Sequence, residues 1–163
     1  MSKKILIALT VTAGIIILMS IIALSYNDIN MNETLELRVP LLTKREKVEL
    51  KNGDFFNEEE VVKIHLSSIQ MKTILKKIEN NENWKKEKID ERLKERLEFH
   101  TREEIFYQIP EIENYYWIFT NRSNGVEDKH SVDALIEDGM YYAISFGILD
   151  VDNNVLYYYE YDK

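Results

Sequence analysis

The sequence has no cysteine and little glycine or proline, with five glycines and two prolines among its 163 residues. Without cysteine the chain has no disulfide, no thiolate metal site, no cysteine nucleophile and no lipid attachment through an N-terminal cysteine. It also has no Walker loop and no Gly-x-Gly-x-x-Gly, Gly-x-Ser-x-Gly or His-Glu-x-x-His motif. The sequence therefore predicts a domain that depends on its hydrophobic core alone, without a cofactor.

Basic residues are scarce in the C-terminal third, where the negative charge of the chain is concentrated. From residue 127 to the end there are nine acidic side chains and two lysines, a net charge of about −7, against −8 for the whole chain. A surface with this balance repels phosphate backbones and anionic lipid headgroups, and the basic patch of a nucleic-acid-binding protein is missing. We therefore expect no nucleic-acid partner.

An uninterrupted apolar run extends from Ile5 to Leu24 and contains no charged residue. A helix of these twenty residues is about 30 Å long, which matches the hydrocarbon core of a bilayer. Lys3 and Lys4 precede the run, so the positive-inside rule places the N-terminus in the cytoplasm. The sequence thus predicts a single-pass cell-membrane anchor followed by an extracytoplasmic domain.

A cleaved signal peptide is the alternative for the same segment. Ala23 and Ser25 place small residues at the two positions that a signal peptidase reads, and cleavage near Ser25 would give a secreted protein. The apolar run is longer than the roughly 7 to 15 residues usual in cleaved signals, so we favour the retained anchor. The expected organisation is an anchor over 1–25, a linker over 26–32 and one extracytoplasmic domain over 33–163.

The first half of the domain combines strand-like and helix-like periodicity. Apolar and polar residues alternate over 35–41 and again over 47–51, which predicts two short strands. A helix is predicted from Asn57, its N-cap, to Asn80, because apolar residues then recur at three- and four-residue spacing. A second, highly charged helix is predicted over 84–100, with a thin apolar stripe at Ile89, Leu93 and Leu97.

The second half reads as sheet. Residues 115–120 are apolar on both faces, and residues 141–149 and 155–161 flank the Asx-rich turn 150–154, which predicts a hairpin. Together the elements predict an α+β domain with an antiparallel sheet of about four or five strands and two helices on one side of it.

The polar loop over 121–131 is the candidate site. It contains a cation, two acids and an imidazole close together in sequence, and loops carry function more often than cores do. The candidate binding residues are Arg122, Glu127, Asp128 and His130. A solvated connection between strands explains the same composition.

Aromatic residues on the last predicted strand form a second candidate surface. Tyr157, Tyr159 and Tyr161 share one face of that strand, and rings with polar tips suit the recognition of a sugar or a protein partner. Cross-strand packing within the sheet is the alternative for the same residues.

We expect no metal site. Asp150, Asp152 and Asn154 match the first half of a calcium loop, but Val155 stands where glycine is needed and Tyr161 where a glutamate belongs. The three histidines stand at no metal-binding spacing from one another. A hairpin turn rich in Asx residues accounts for the motif.

Several spaced elements resemble those of small membrane-anchored proteins of low-GC Gram-positive bacteria, a group without a known activity. These elements are Asn80-Asn81-Glu82-Asn83-Trp84-Lys85-Lys86, Tyr115-Tyr116-Trp117-Ile118-Phe119 with Arg122, Phe146-Gly147-Ile148-Leu149-Asp150 with Asp152, and Leu156-Tyr157-Tyr158-Tyr159-Glu160 with Asp162. The resemblance implies membrane topology and a bacterial host, and it transfers no functional residue.

The leading hypothesis is a non-enzymatic, membrane-tethered module that recognises an envelope protein or a cell-wall component. Two alternatives remain open at this point. One is an envelope-associated hydrolase that uses Arg122, Glu127, Asp128 and His130. The other is an immunity-type protein whose acidic C-terminal third binds a basic toxin.

Overall fold

The computed structural model describes residues 10–15, 30–40, 43–48, 58–95, 112–123, 125–133 and 143–162. Its centre is one five-stranded sheet in which all neighbours are antiparallel, in the order β1-β2-β5-β4-β3. The elements are β1 Lys44–Val48, β2 Glu58–His65, α1 Ser68–Ile78, β3 Tyr115–Asn121, β4 Ala143–Asp150 and β5 Val155–Asp162. The predicted antiparallel sheet of four or five strands is confirmed.

The β4–β5 hairpin forms the middle of the sheet, and its turn is built from the Asx residues of the calcium-like motif. The carboxylate of Asp150 is buried and accepts hydrogen bonds from the backbone N–H of Asn153 at 3.0 Å and from its Nδ2 at 2.8 Å. Asn154 takes the left-handed conformation with φ of 54°, which asparagine tolerates better than most residues. The motif therefore serves the turn, as the turn interpretation predicted.

Both faces of the sheet are buried. Along β5, Tyr159 and Tyr161 pack on one face with Val61, while Leu156 and Tyr158 pack on the other with Ile64 and α1. We call the side of Leu156 and Tyr158 the α1 face and the other side the opposite face. Because successive side chains of a strand alternate between faces, a central strand buried on both sides carries apolar residues that face each side.

Different segments cover the two faces. The α1 face is covered by α1 itself, by residues 30–40 and by Trp84, whereas Ile89, Leu93 and Val132 pack against the opposite face. The expectation that both helices lie on one side of the sheet is therefore wrong, because an apolar surface on each face requires its own cover.

The predicted helix from Asn57 to Asn80 is correct only in its second half. Residues 58–65 form strand β2, and α1 begins after Ser67, whose hydroxyl accepts from the N–H of Gln70 while Gln70 Oε1 accepts from the N–H of Ser67. Val61 and Ile64 suggested a helical stripe because they are three residues apart. In the strand they lie on opposite faces, and both are fully buried. Asn57 lies outside the described residues.

The predicted strand over 35–41 is also wrong, although its pattern of burial is right. Leu35, Leu37 and Val39 are buried and the residues between them are exposed, but residues 35–40 lie on the α1 face and join no ladder; Leu41 lies outside the described residues. Residues 30–34 form a helical turn in which Met31 is buried, so the end of the predicted linker belongs to the packed domain. The strand predicted near 47–51 corresponds to β1, Lys44–Val48.

The predicted second helix begins later than expected. Residues 84–90 are irregular, and the backbone of Lys85 bridges that of Trp117 along the outer edge of β3; residues 91–95 are helical. Ile89 and Leu93 are buried as the apolar stripe predicts, whereas Leu97 lies outside the described residues.

In the part of the chain that the structure describes, no helix is both long enough and apolar enough to cross a bilayer. Of the predicted anchor only residues 10–15 are described, and they are helical.

Gly147 is required where residues 30–40 meet the sheet. A Cβ atom at this position would lie 2.3 Å from Leu35 Cδ2, 3.1 Å from Ile118 Cγ2 and 3.3 Å from the ring of Trp84. Gly147→Ala should therefore lower the free energy of unfolding by about 1 to 3 kcal/mol, because overpacking forces neighbours to move.

The double variant with Leu35→Ala identifies the clash. The double variant should lose less unfolding free energy, measured by urea denaturation, than the sum of the losses in the two single variants, because shortening Leu35 makes room for the new methyl group. Additive losses would show that Leu35 does not pack against Gly147.

Candidate functional site

The candidate loop after β3 folds back along the outer edge of that strand. The N–H of Asn121 donates to the carbonyl of Lys129 at 2.7 Å, and the N–H of Arg122 donates to the carbonyl of Ala143 at 2.6 Å. Asp128 supports the return of the loop by accepting from the N–H of His130 at 3.0 Å. This arrangement brings the imidazole of His130 against the edge of β3.

Both ring nitrogens of His130 face acceptors. Nδ1 lies 2.7 Å from the carbonyl oxygen of Phe119, and Nε2 lies 3.1 Å from Oε1 of Glu36. The ring donates both hydrogen bonds when it is protonated, and the carboxylate then balances its charge. His130 thereby links the edge of β3 to the segment of residues 30–40, which is 94 positions away in sequence.

Glu36 occupies a backbone position at which glycine is the usual residue. The helical turn 30–34 ends in a Schellman motif, in which the N–H of Leu37 donates to the carbonyl of Asn32 and the N–H of Glu36 to that of Glu33. Glu36 has the left-handed φ of 51° that this motif requires. For a residue with a side chain this conformation costs about 1 to 2 kcal/mol, so the side chain must contribute something that glycine cannot.

That contribution is a carboxylate held by three donors. Oε2 of Glu36 accepts from Nδ2 of Asn81 and from Nδ2 of Asn83, each at 2.9 Å, while Oε1 faces His130. We call this group of four residues the Glu36 junction. It joins three separate segments, namely the 30–40 segment, the turn after α1 and the loop after β3.

The junction changes the titration of Glu36. Burial by itself raises the pKa of this carboxyl group, but hydrogen bonds from Asn83 and Asn81 and the charge of His130 outweigh it, so the pKa lies below its ordinary value of 4.5. The carboxylate is therefore the stable form near neutral pH.

A second polar network lies beside the junction. Arg122 Nη1 is 2.8 Å from Oε1 of Glu160, whose other oxygen accepts from the hydroxyl of Tyr158 at 2.7 Å. The same hydroxyl lies 3.2 Å from Thr34 Oγ1 and 3.4 Å from Ser145 Oγ. Burial, reinforced by the charge of Glu160, raises the pKa of Tyr158, so its hydroxyl keeps its proton and donates it to Glu160.

The two networks border one cleft of about 360 Å³. One wall comes from the turn 30–36 and the other from the end of β3 and the loop that follows it. We call this space the Glu36 cleft, and its lining residues are Asn30, Glu33, Thr34, Glu36, Thr120, Arg122, Lys129 and His130. A volume of this size accommodates a small polar ligand.

The four loop residues predicted from the sequence do not surround a single cleft. Arg122 and His130 line the Glu36 cleft, whereas Asp128 lines a neighbouring cleft of about 540 Å³ that His130 also borders. Glu127 is exposed and lines neither of them.

The three tyrosines of the second candidate surface are placed differently from one another. Tyr159 and Tyr161 are each 1% exposed, because β5 lies in the middle of the sheet, and they present no ring surface to a partner. Tyr157 is half-buried, and Nζ of Lys63 lies 5.6 Å from its ring centre. Tyr159 and Tyr161 therefore stabilise the core.

One wall of the cleft was not predicted from the sequence. Glu33, Thr34 and Glu36 stood in or next to a segment whose alternation predicted a strand, and Asn81 and Asn83 stood where a helix was expected to end. A left-handed glutamate has no sequence signature, since its conformation follows from the turn that precedes it. The asparagine-rich stretch over 80–83 was the one available signal of side-chain hydrogen bonding.

Among the residues that the structure describes, no group of three or more histidine, aspartate or glutamate side chains is arranged to hold a metal ion. Comparisons of the chain with protein-family models, with curated proteins and with solved structures gave no match.

The lowered pKa of Glu36 predicts the pH range over which the junction stabilises the fold. A carboxyl group whose pKa is lower in the folded than in the unfolded state stabilises above its unfolded pKa, and this stabilisation is lost as the pH falls through the folded value. Glu36→Gln should lower the Tm by a few degrees at pH 6. The difference from the unaltered protein should shrink as the pH falls below 4.5.

Thermal unfolding followed by circular dichroism at a series of pH values measures this difference. Glu82→Gln is the matched control, because Glu82 is exposed in the same turn and takes no part in the junction. A difference for Glu36→Gln that is equally large at pH 6 and pH 3 would show that the ionised carboxylate is not what stabilises the junction.

Proposed function

We propose that this chain is a membrane-tethered, extracytoplasmic recognition module that binds an envelope component in the Glu36 cleft and catalyses no reaction. The observation that carries the proposal is the carboxylate of Glu36, which three donors hold in place on a strained backbone at the wall of the cleft. Strained residues occur where a fixed side-chain position is needed, as in a binding site.

The position of the cleft along the chain supports a role at the membrane surface. Asn30 lines the cleft and follows Leu24, the last residue of the predicted anchor, by six positions. A fully extended chain of that length spans about 20 Å, so a retained anchor would keep the cleft within that distance of the bilayer. Residues 10–15 are helical, and Val11 and Ile15 are each 56% exposed. Exposed apolar side chains on a helix are what a membrane anchor requires.

The side chains of His130 and Arg122 already have hydrogen-bond or ion-pair partners, which favours recognition over catalysis. A general base must accept a proton from its substrate, yet both nitrogens of His130 already face Phe119 and Glu36, and Arg122 is paired with Glu160. The residues of the hydrolase alternative also do not share either of these two clefts, since Glu127 lines neither of them and Arg122 and Asp128 line different ones. Fixed polar groups of this kind suit a preorganised binding site.

The immunity-type alternative depends on free negative charge in the C-terminal third. Part of that charge is compensated within the chain, because Asp133 pairs with Arg92 at 2.9 Å and Glu160 pairs with Arg122 at 2.8 Å. Asp150 is buried in the hairpin turn. The acidic composition of this third therefore overstates its attraction for a basic toxin, so we prefer the recognition module to this alternative.

A pull-down from membranes solubilised in a non-ionic detergent tests the proposal. The full chain should recover a specific component, and Lys129→Glu should reduce that recovery about tenfold, because Lys129 is exposed in the wall of the cleft. Lys72→Glu is the matched control, since Lys72 is an exposed lysine of α1 that does not line the cleft.

Equal recovery with Lys129→Glu and with the unaltered chain would contradict binding in the Glu36 cleft. Recovery of a basic toxin that is unaffected by Lys129→Glu would favour the immunity-type alternative.

A further inference from the structure

Some charged side chains of the Glu36 cleft have an ion-pair partner and others do not. His130 faces Glu36 at 3.1 Å and Arg122 faces Glu160 at 2.8 Å, so these four side chains already have partners. Within the described part of the chain, the side chains of Glu33 and Lys129 form no hydrogen bond and no ion pair with other residues. One free acid and one free base therefore remain in the cleft.

These two groups are kept apart by the fold. Glu33 lies in the turn 30–34 and Lys129 in the loop after β3, and the Glu36 junction fixes these segments against each other. Among the described residues, the two side chains form no ion pair with each other. A ligand between them would meet a carboxylate on one side and an ammonium group on the other.

The floor of the cleft adds no charge. Thr120 Oγ1 donates to the carbonyl of Thr34 at 2.7 Å, and Thr34 Oγ1 donates to the carbonyl of Asn30 at 3.0 Å. These hydroxyl protons are already used, so charge recognition in the cleft depends on Glu33 and Lys129. A polyanion or a polycation would leave one of the two opposed by a like charge.

Resting on the proposed function, we propose that the ligand of this cleft is a small zwitterion that carries a primary ammonium group and an anionic group. The ammonium group donates hydrogen bonds to Glu33, and the anion accepts from Lys129. Two sources have this chemistry, namely the phosphoethanolamine headgroup of a lipid and a short peptide with free ends. The volume of about 360 Å³ admits either of them.

Calorimetric titration of the full chain in a maltoside detergent tests the ligand class, with phosphoethanolamine and alanyl-alanine as probes. At least one probe should bind, and the probe that binds shows whether the source is a lipid headgroup or a peptide. Phosphocholine is the matched comparison for phosphoethanolamine, because its quaternary nitrogen has no N–H to donate. If phosphoethanolamine is the ligand, phosphocholine should bind at least about tenfold more weakly.

Charge reversal tests the two residues. Glu33→Lys and Lys129→Glu should each weaken binding of the probe about tenfold or more, because each places two like charges in the cleft. The double reversal restores one acid and one base, so its affinity should return to within about threefold of the unaltered chain. Lys72→Glu is again the control and should leave the affinity unchanged.

Absence of binding by both zwitterions, or equal affinity in all these variants, would overturn the inference. The zwitterion inference fails, and the proposed function stands, if the pull-down still recovers a component that depends on Lys129 while neither zwitterion binds. It would fail together with the proposed function if Lys129→Glu changes neither measurement.

Discussion

Burial of the β4–β5 hairpin on both faces is the constraint on which the rest of the described structure depends. Phe146 and Tyr159 face one side and Leu149 and Leu156 the other, and all four are at most 1% exposed. A sheet with two apolar faces needs a covering layer on each. With α1 as the only long helix among the described residues, shorter segments must complete both layers.

The 30–40 segment becomes a covering layer for this reason, and the site follows from it. Leu35 packs where Gly147 leaves room, and its carbonyl accepts from Nε1 of Trp84 at 2.8 Å. The turn that delivers Leu35 to the sheet places Glu36 at the edge, within reach of His130. The cleft thus lies between the 30–40 segment, which covers the sheet, and the loop that runs along the edge of β3.

The sequence predicted the elements whose signals are local. The runs over 115–120 and 155–161 are rich in aromatic and β-branched residues and end at turns, so β3 and the hairpin could be assigned. Residues 58–65 could not, because the buried residues Val61 and Ile64 lie on opposite faces of the strand and their three-residue spacing mimics a helical stripe. The alternation over 35–39 predicted the buried residues correctly. It could not show that the segment packs on a face of the sheet and is not one of its strands.

The same limit applied to the site. Arg122 and His130 were predicted because they stand in one polar loop, and Glu127 and Asp128 were included with them for the same reason. Glu36 was missed, because its pairing with His130 crosses 94 positions and its left-handed backbone follows from the turn before it. Tyr159 and Tyr161 were taken as a possible surface because the order of strands, which places β5 in the middle, cannot be read from one sequence.

The central claim is that residues 30–40 are a fixed layer of the domain and not a free tether. Native-state hydrogen exchange of the amides of Leu35 and Leu37 tests it most directly, since these amides donate to Met31 and Asn32 beneath the Glu36 junction. We predict exchange as slow as that of the amides of β2 and β5, with faster exchange in His130→Ala. Exchange at the rate of an unstructured peptide in the unaltered chain would contradict the account.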